Sequence, residues 1–505
     1  MVKVVASAKP TAAKQPRGEY AFGMLGGSRL AAALIAASLV SCTGPTTALD
    51  DIERHWLAGD HHIHSRYSVT WDRETDPPAA IIGGHGVYPI PLNALMAKWH
   101  GLVWMVATDH GGRAHSKLNL EQAYPNLVVA RDAVPEVIQF YGIELNAPAA
   151  DHVSVIMPHT PDEAARIYEL ESRFDRSFAG FAAPRTSDPD RNSEQRMIEA
   201  LRFMRALPDQ PLVIANHPSR TAAEGAQYGL TTPAELRAWN DAAPEVAVGM
   251  IGAPGHQAIS INPDGTLKPT GRRGQYRNQP TLGGFDPMTA RLGGVWDSML
   301  GEGRRWWITA NSDSHEHWTD GGVDFWPGEY SKTYVYADKT HADILASLRA
   351  GHVFVTTGDL VSELDVSAES AGRTASIGGQ LHVASGADLR VTIRARDPAG
   401  PNSHGDQPTV NRIDLILGQI NGPLMNAAKD SNPTTKVVRR FDAGDWTRDG
   451  EILAMSHTLE GIDAPVYLRV RGTSTAELEP APDPSGEDPW ADLWFYSNPI
   501  FVLTE

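Results

Sequence analysis

The sequence predicts an α/β fold built on a parallel sheet or barrel, followed by an antiparallel β domain. Three observations lead there. Between residues 51 and 358, short apolar runs alternate with amphipathic stretches that open on Thr or Ser. Repeated strand, loop and helix indicate parallel strands with crossover helices. Polar clusters recur where the apolar runs end, the place where such folds collect active groups. After residue 359 helix signals are scarce. Leu389, Val391, Ile393 and Ala395 interleave with Arg390, Thr392, Arg394 and Arg396, and Val466, Leu468 and Val470 with Tyr467, Arg469 and Arg471. Period two, broken by Gly, Pro, Asn and Asp, reads as a β-sandwich over 359–505.

Taken in order, residues 1–50 read as a leader and linker. Leu30 to Val40 is apolar, Arg29 precedes it, and Leu39-Val40-Ser41-Cys42 follows. A basic residue, a short apolar core and small residues at the exit make a secretory signal. Leu-Val-Ser-Cys resembles the bacterial lipoprotein box, which implies a periplasmic, lipid-anchored protein whose membrane contact is through Cys42. That is the single cysteine, so no intrachain disulfide is available.

The first strand carries Gly59-Asp60-His61-His62-Ile63-His64-Ser65. On a strand His62 and His64 share a face and His61 takes the other. Leu92 to Trp99 reads as a helix. Leu102 to Ala107 reads as a strand that delivers Thr108-Asp109-His110. Val137 to Gly142 leads to Ile143-Glu144, and His152 opens the strand to Met157. Thr160-Pro161-Asp162-Glu163 and Thr232-Pro233-Ala234-Glu235 both have capping-box chemistry. Met197, Leu201 and Met204 stripe one face of a helix over 193–207. The strand 212–215 delivers Asn216-His217-Pro218, and 246–251 leads to His256. The strand 306–310 delivers Asn311-Ser312-Asp313-Ser314-His315. Thr340 caps a last helix that stops at Gly351. The stretch 257–294 reads as a long functional or disordered loop with Arg272, Arg273, Arg277 and Arg291. Residues 479–488, rich in Pro and acids, read as an exposed loop.

His62, His64, His110, Glu144, His152, His217, Asp313 and His315 are the polar groups collected at strand ends. Mixed imidazole and carboxylate ligands suit Mn, Zn or Fe. Eight ligands are too many for one ion and suit two or three. A carboxylate such as Glu144 can bridge ions, since its two oxygens can bind different ones. The formal charge of −17, from 44 Lys and Arg against 61 Asp and Glu, does not favour sequence-independent binding to nucleic acid.

Gly-Asp-His-His-Ile-His-Ser, Thr-Asp-His, Gly-Ile-Glu followed by His152, Asn-His-Pro and Ser-Asp-Ser-His occur in the order seen in the PHP (polymerase and histidinol phosphatase) superfamily. Residues 348–358 and 497–502 resemble its CehA/McbA-type branch. The resemblance implies a distorted (β/α)7 barrel over 51–358 and a two- or three-metal phosphoesterase site. By motif, His62, His64 and Asp313 resemble ligands of a first metal, Glu144 the bridge, and His152 and His217 ligands of a second. His110 and His315 resemble ligands of a third, for which Asp72 is the best additional candidate.

The expected reaction is hydrolysis of a small organic phosphodiester by a metal-bridging hydroxide. Asp60 is expected to orient a ligand, and Asp109 to act behind the ligands or carry a proton. Arg113 or Arg66 is expected on a phosphoryl oxygen, and His256 or His315 is expected to protonate the leaving group. Arg272, Arg273 and Arg277 read either as a phosphate-facing lid or as a solvated loop. A carboxyl or carbamate ester hydrolase fits the same motifs; a non-enzymatic lipid-anchored binding protein is a further alternative, against which the intact set of metal ligands argues.

Overall fold

A computed structural model describes residues 54–112, 115–177 and 190–505. The expected leader, Cys42 and Arg113 lie outside the described residues. The fold is mixed α/β with one large mixed sheet. Seven strands of its first half lie in a row: His55–Ile63, Trp104–Ala107, Ile138–Asn146, His152–Ile156, Leu212–Ala215, Ala247–Ala253 and Trp307–Ala310. Four neighbouring pairs are parallel. The ends of the row meet at one rim. Ile63 bridges Ser314, and His64 N–H donates to Ser314 O at 2.9 Å. Trp104 to Ala107 is buried throughout, as an interior parallel strand should be.

The expectation of a parallel sheet needs one correction inside this row. His152–Ile156 runs antiparallel to both neighbours. Only residues 147–151 separate it from Asn146, too few for a crossover helix. The reversal brings the start of this strand to the rim where the parallel strands end. His152 therefore joins Glu144 and His217 despite lying at a strand N-terminus. A further antiparallel strand, Ser331–Ala337, flanks the first strand on its other side.

Side-chain caps explain several helix starts. Helix Pro233–Ala242 has the full capping box of Thr232 and Glu235. Ser193 caps Glu194–Arg205, which buries Met197, Ala200, Leu201 and Met204. Thr340 caps His341–Ala350, and Gly351 ends it at φ 75°. The box expected at Thr160 does not form. Helix Glu163–Phe174 starts without a side-chain cap. The buried Glu163 carboxylate instead accepts from Arg131 at 2.6 Å and Tyr124 at 3.0 Å. A buried carboxylate needs a cation more than a helix start needs a second cap.

After residue 359 the chain is almost wholly β. Five antiparallel strands, Glu363–Ser370 and Ala387–Arg396 among them, form a separate sheet. The others extend the large sheet, which the two halves share through Val353–Thr357 and Trp494–Ser497. Strand Val466–Thr473 departs from its period-two pattern, because both of its faces are buried. Arg469 reaches Asp297 on helix Val295–Gly301 at 2.9 and 2.8 Å, and Arg471 reaches Asp414. The loop 479–488 is only partly exposed. Asp483 is buried and accepts from Thr281 Oγ1 and the amides of Gly283 and Gly284. It thereby fastens the long 257–294 segment to the second half.

Candidate metal centre

The strand His55–Ile63 places His62 and the following His64 side by side, with Nε2 atoms 3.0 Å apart. His61 points away and meets Thr309 at 2.8 Å. Burial, then the neighbouring His62, pushes His61 down to about 3. It is a neutral core histidine. Asp313, His217 and His256 sit at φ 47°, 29° and 56°. Left-handed backbone at three non-glycine residues around one cleft costs about 1–3 kcal/mol each and is tolerated where surrounding contacts fix it.

The donor atoms converge in groups. His62 and His64 each place Nε2 near Asp313 Oδ1, at 3.3 and 3.2 Å. Glu144 lies at the middle of the cluster. Its Oε1 faces His152 at 3.0 Å, His62 at 3.2 Å and His217 at 3.3 Å. Its Oε2 faces His110 at 2.8 Å and His64 at 3.5 Å. His110 and His315 approach at 3.4 Å, with His64 beside them. All eight sequence-predicted ligands are thus brought together. Asp72 is not. It lies in the small hairpin Thr70–Asp72 with Ala79–Ile81 and accepts from the amide of Glu74.

The hydrogen-bond network behind the cluster fixes which nitrogen faces inward. Ser65 Oγ and Ser68 Oγ donate to Asp109 at 2.6 and 2.8 Å. With its proton committed, the Ser68 oxygen accepts from His64 Nδ1 at 2.9 Å, which leaves the Nε2 lone pair facing the cluster. His315 Nδ1 donates to the carbonyl of Asp313 at 2.8 Å, with the same result for its Nε2. His217 Nδ1 meets Asp151 at 3.2 Å, the carboxylate–imidazole pairing typical of ligands. Asn216 donates to Glu144 Oε1 at 3.1 Å while its own carbonyl accepts from Ser154.

Asp109 and Asp60 both lie behind the ligands, and neither does so by a direct carboxylate–imidazole bond. Asp109 makes its hydrogen bonds to serines and touches no ligand imidazole; it positions His64 through Ser68. Asp60 also misses the imidazoles. It accepts from the amides of His62 and Ser312, both at 3.0 Å, so it ties the backbones of two ligand segments together. Burial pushes Asp60 up to about 6.

Three residues of the cleft, Arg220, Asp324 and His85, were not assigned from sequence. Arg220, three residues after His217, donates to Asp313 Oδ2 at 3.2 Å and to His217 Nε2 at 2.6 Å. Its spacing from the Asn-His-Pro motif was the available signal. Asp324 accepts from His256 Nδ1 at 2.5 Å and from the His315 amide at 2.7 Å. Nothing local marks it. His85 comes within 3.1 Å of His110. His256 Nε2 is 3.0 Å from Asp313 and falls into a possible ligand group with Asp313 and His315. Of the three loop arginines, Arg273 is a structural residue. It is buried and bonds Asp492, Gln257 and Tyr330.

The electrostatics suit a cation. Burial alone would raise Glu144 and Asp313. For Glu144, His152 and His62 outweigh it; for Asp313, His62 and His256 do, and both carboxyls stay well below the usual range. Burial, with His110 for His64 and His64 for His315, holds those two imidazoles well below their ordinary value. Burial opposes the charged form of His256, yet Asp313 and Asp324 hold it up to about 10. Ionised carboxylates, and the neutral imidazoles of His64 and His315 with inward lone pairs, are the protonation states that metal binding requires. Against burial, Asp313 and Glu144 hold His62 up and Glu144 holds His152 up, so a metal bound there would displace protons from those two. These groups could hold metal ions. They open onto a cleft of about 680 Å³ whose wall includes His85, Arg220, His256, Gln275 and Arg277. The chain matches no protein-family model and no curated protein.

Proposed function

We propose that the chain is a metal-dependent phosphoesterase of the PHP type that hydrolyses small organic phosphodiesters. The observation that carries this reading is Glu144. Its two oxygens face different imidazoles, Oε1 towards His62, His152 and His217 and Oε2 towards His64 and His110. The carboxylate thus lies between all three expected ligand groups, Oε1 beside ligands of the first and second and Oε2 beside ligands of the first and third, which supports a bridging role. His62, His64 and Asp313 would hold one, His152 and His217 the second, and His110 and His315 a third. The seven-strand row whose ends meet at Ile63 and Ser314 supports a distorted (β/α)7 barrel. The separate five-stranded sheet supports a β-sandwich behind it.

Bound Mn, Zn or Fe would polarise the ester and provide hydroxide near neutral pH. The remaining tasks belong to side chains. Arg220, with its guanidinium against Asp313 and His217, would take a non-bridging phosphoryl oxygen in the role expected of Arg113 or Arg66. His256, fixed through Nδ1 by Asp324, turns Nε2 to the cleft side and would hand a proton to the departing oxygen. The resemblance of Leu39-Val40-Ser41-Cys42 to a lipoprotein box supports a periplasmic, lipid-anchored location for this activity. A screen of bis-aryl phosphates against 1-naphthyl carbamates tests the reading. Turnover of the phosphates is expected; turnover confined to the carbamates would replace it with the carbamate-hydrolase reading. A purified protein without transition metal would count heavily against both enzyme readings.

A further inference from the structure

The cleft over the metal centre continues into a second one of about 600 Å³. Gln275 and Arg277 form the wall common to both, and Arg272, Asn278 and Thr270 line the second. The segment that presents them is held from behind. Arg273 is buried against Asp492 at 2.6 Å and Tyr330 at 2.7 Å. Tyr276 is buried and donates to Asp286 at 2.6 Å. Asn278 donates to the carbonyl of Ala222 at 2.9 Å. Between the first two anchors, Gly274 and Gln275 are consecutive left-handed residues at φ 65° and 61°. Glycine tolerates that conformation and Gln275 does not, so the turn is strained and kept in place by the Arg273 and Tyr276 contacts. The result is alternation. Arg273 and Tyr276 point inward, while Arg272, Gln275 and Arg277 are exposed at the cleft walls.

Neither Arg272 nor Arg277 has an ion-pair partner among the described residues. In a chain of net charge −17, most buried or half-buried arginines are paired: Arg220, Arg237, Arg273, Arg304, Arg469 and Arg471 all meet carboxylates. Two uncommitted guanidiniums on a rigid turn, with two side-chain amides beside them, make a receptor for an anion with planar oxygens.

We infer that Arg272 and Arg277, with Gln275 and Asn278, form a second anion subsite contiguous with the metal centre. The substrate is then a phosphodiester one of whose arms carries a further anionic group, phosphate or carboxylate. The subsite deepens the phosphoesterase reading and rests on it for the identity of the first group. The ester bond broken is unchanged; the subsite binds and orients the charged arm.

Calorimetric binding to the metal-loaded full chain tests this without turnover. The probes are propylphosphonate and alkane α,ω-bisphosphonates of graded length, with a parallel series ending in carboxylate. The best-fitting dianion is expected to bind at least about tenfold more tightly than the monophosphonate. A preference for either terminus carries the proposal and names the anion. Arg272→Gln with Arg277→Gln removes the preference, and Arg272→Lys keeps part of it. Equal affinities for mono- and dianions, or a preference that survives the double substitution, overturn it. Bis-aryl phosphate turnover is measured separately. If the arginine-dependent preference is found but the diester is not hydrolysed, the subsite stands and the phosphoesterase reading falls.

Discussion

The metal-centre rim and the seam between the two halves both bury many charges, and they do so differently. At the seam the acids are answered by arginines: Asp297 by Arg469, and Asp483, Glu487 and Asp492 together by the one Arg273. Arginine keeps its proton, so each of these acids meets a permanent positive charge. At the rim the acids Glu144 and Asp313 are answered mainly by imidazoles whose lone pairs face inward. Only Arg220 brings a permanent charge. Acids met by a permanent guanidinium charge are tied into the architecture; acids answered mainly by imidazoles whose donor atoms converge on a common space could hold a cation.

The sharpest way to break this comparison is at the rim. His62→Ala or Asp313→Ala should lower turnover roughly a thousandfold or more and reduce bound metal, with far-UV circular dichroism unchanged. Retained activity would refute the site. The seam should answer in the opposite sense. Asp297→Ala leaves Arg469 buried without its partner and should cost about 3–5 kcal/mol in denaturant unfolding. Metal bound per folded molecule should stay the same; a loss of metal would mean that the two regions are coupled.

A finer distinction comes from Asp109, which sits behind the rim and has no contact with an imidazole. Asp109→Asn should weaken metal binding about 10–100-fold by releasing Ser68 and so the orientation of His64. Chelator competition measures this, and Ser68→Ala should reproduce it. The smallest effect is a pH dependence at the seam. Burial, offset in part by Arg273, pushes Asp492 up to about 6. Between the ordinary carboxylate range and about 6 the folded chain therefore binds more protons than the unfolded one. That contribution favours folding at the acid end and fades as the pH rises through about 6. Asp492→Asn should flatten that part of the stability–pH curve, read from urea midpoints. An unchanged curve would remove Asp492 as its source.

Much of the rim was legible in the chain because ligands come in short motifs at strand ends. His62 and His64 follow from the alternation of one strand, and His110, His217 and Asp313 each follow an apolar run of four to six residues. The change to antiparallel β near residue 359 was legible from period-two patterning, and the Thr232 capping box from residues four positions long. These are local properties. The side chains concerned and the backbone they act on are neighbours in sequence.

Partnership across the fold was not legible, and only the tertiary structure decided it. Arg469 alternates with apolar residues and so reads as solvent-facing; the helix that carries Asp297, far away in sequence, covers it. Arg273 and Arg277 look alike in one loop, yet the first is clasped by Asp492 and the second lines the cleft. Asp324 gains its role only because folding sets it against His256. The sequence by itself determined which donors exist and on which strand ends they sit. Long-range packing decided which of its charges are spent on one another and which are left for a ligand, because burial and pairing depend on what the rest of the chain places opposite each residue.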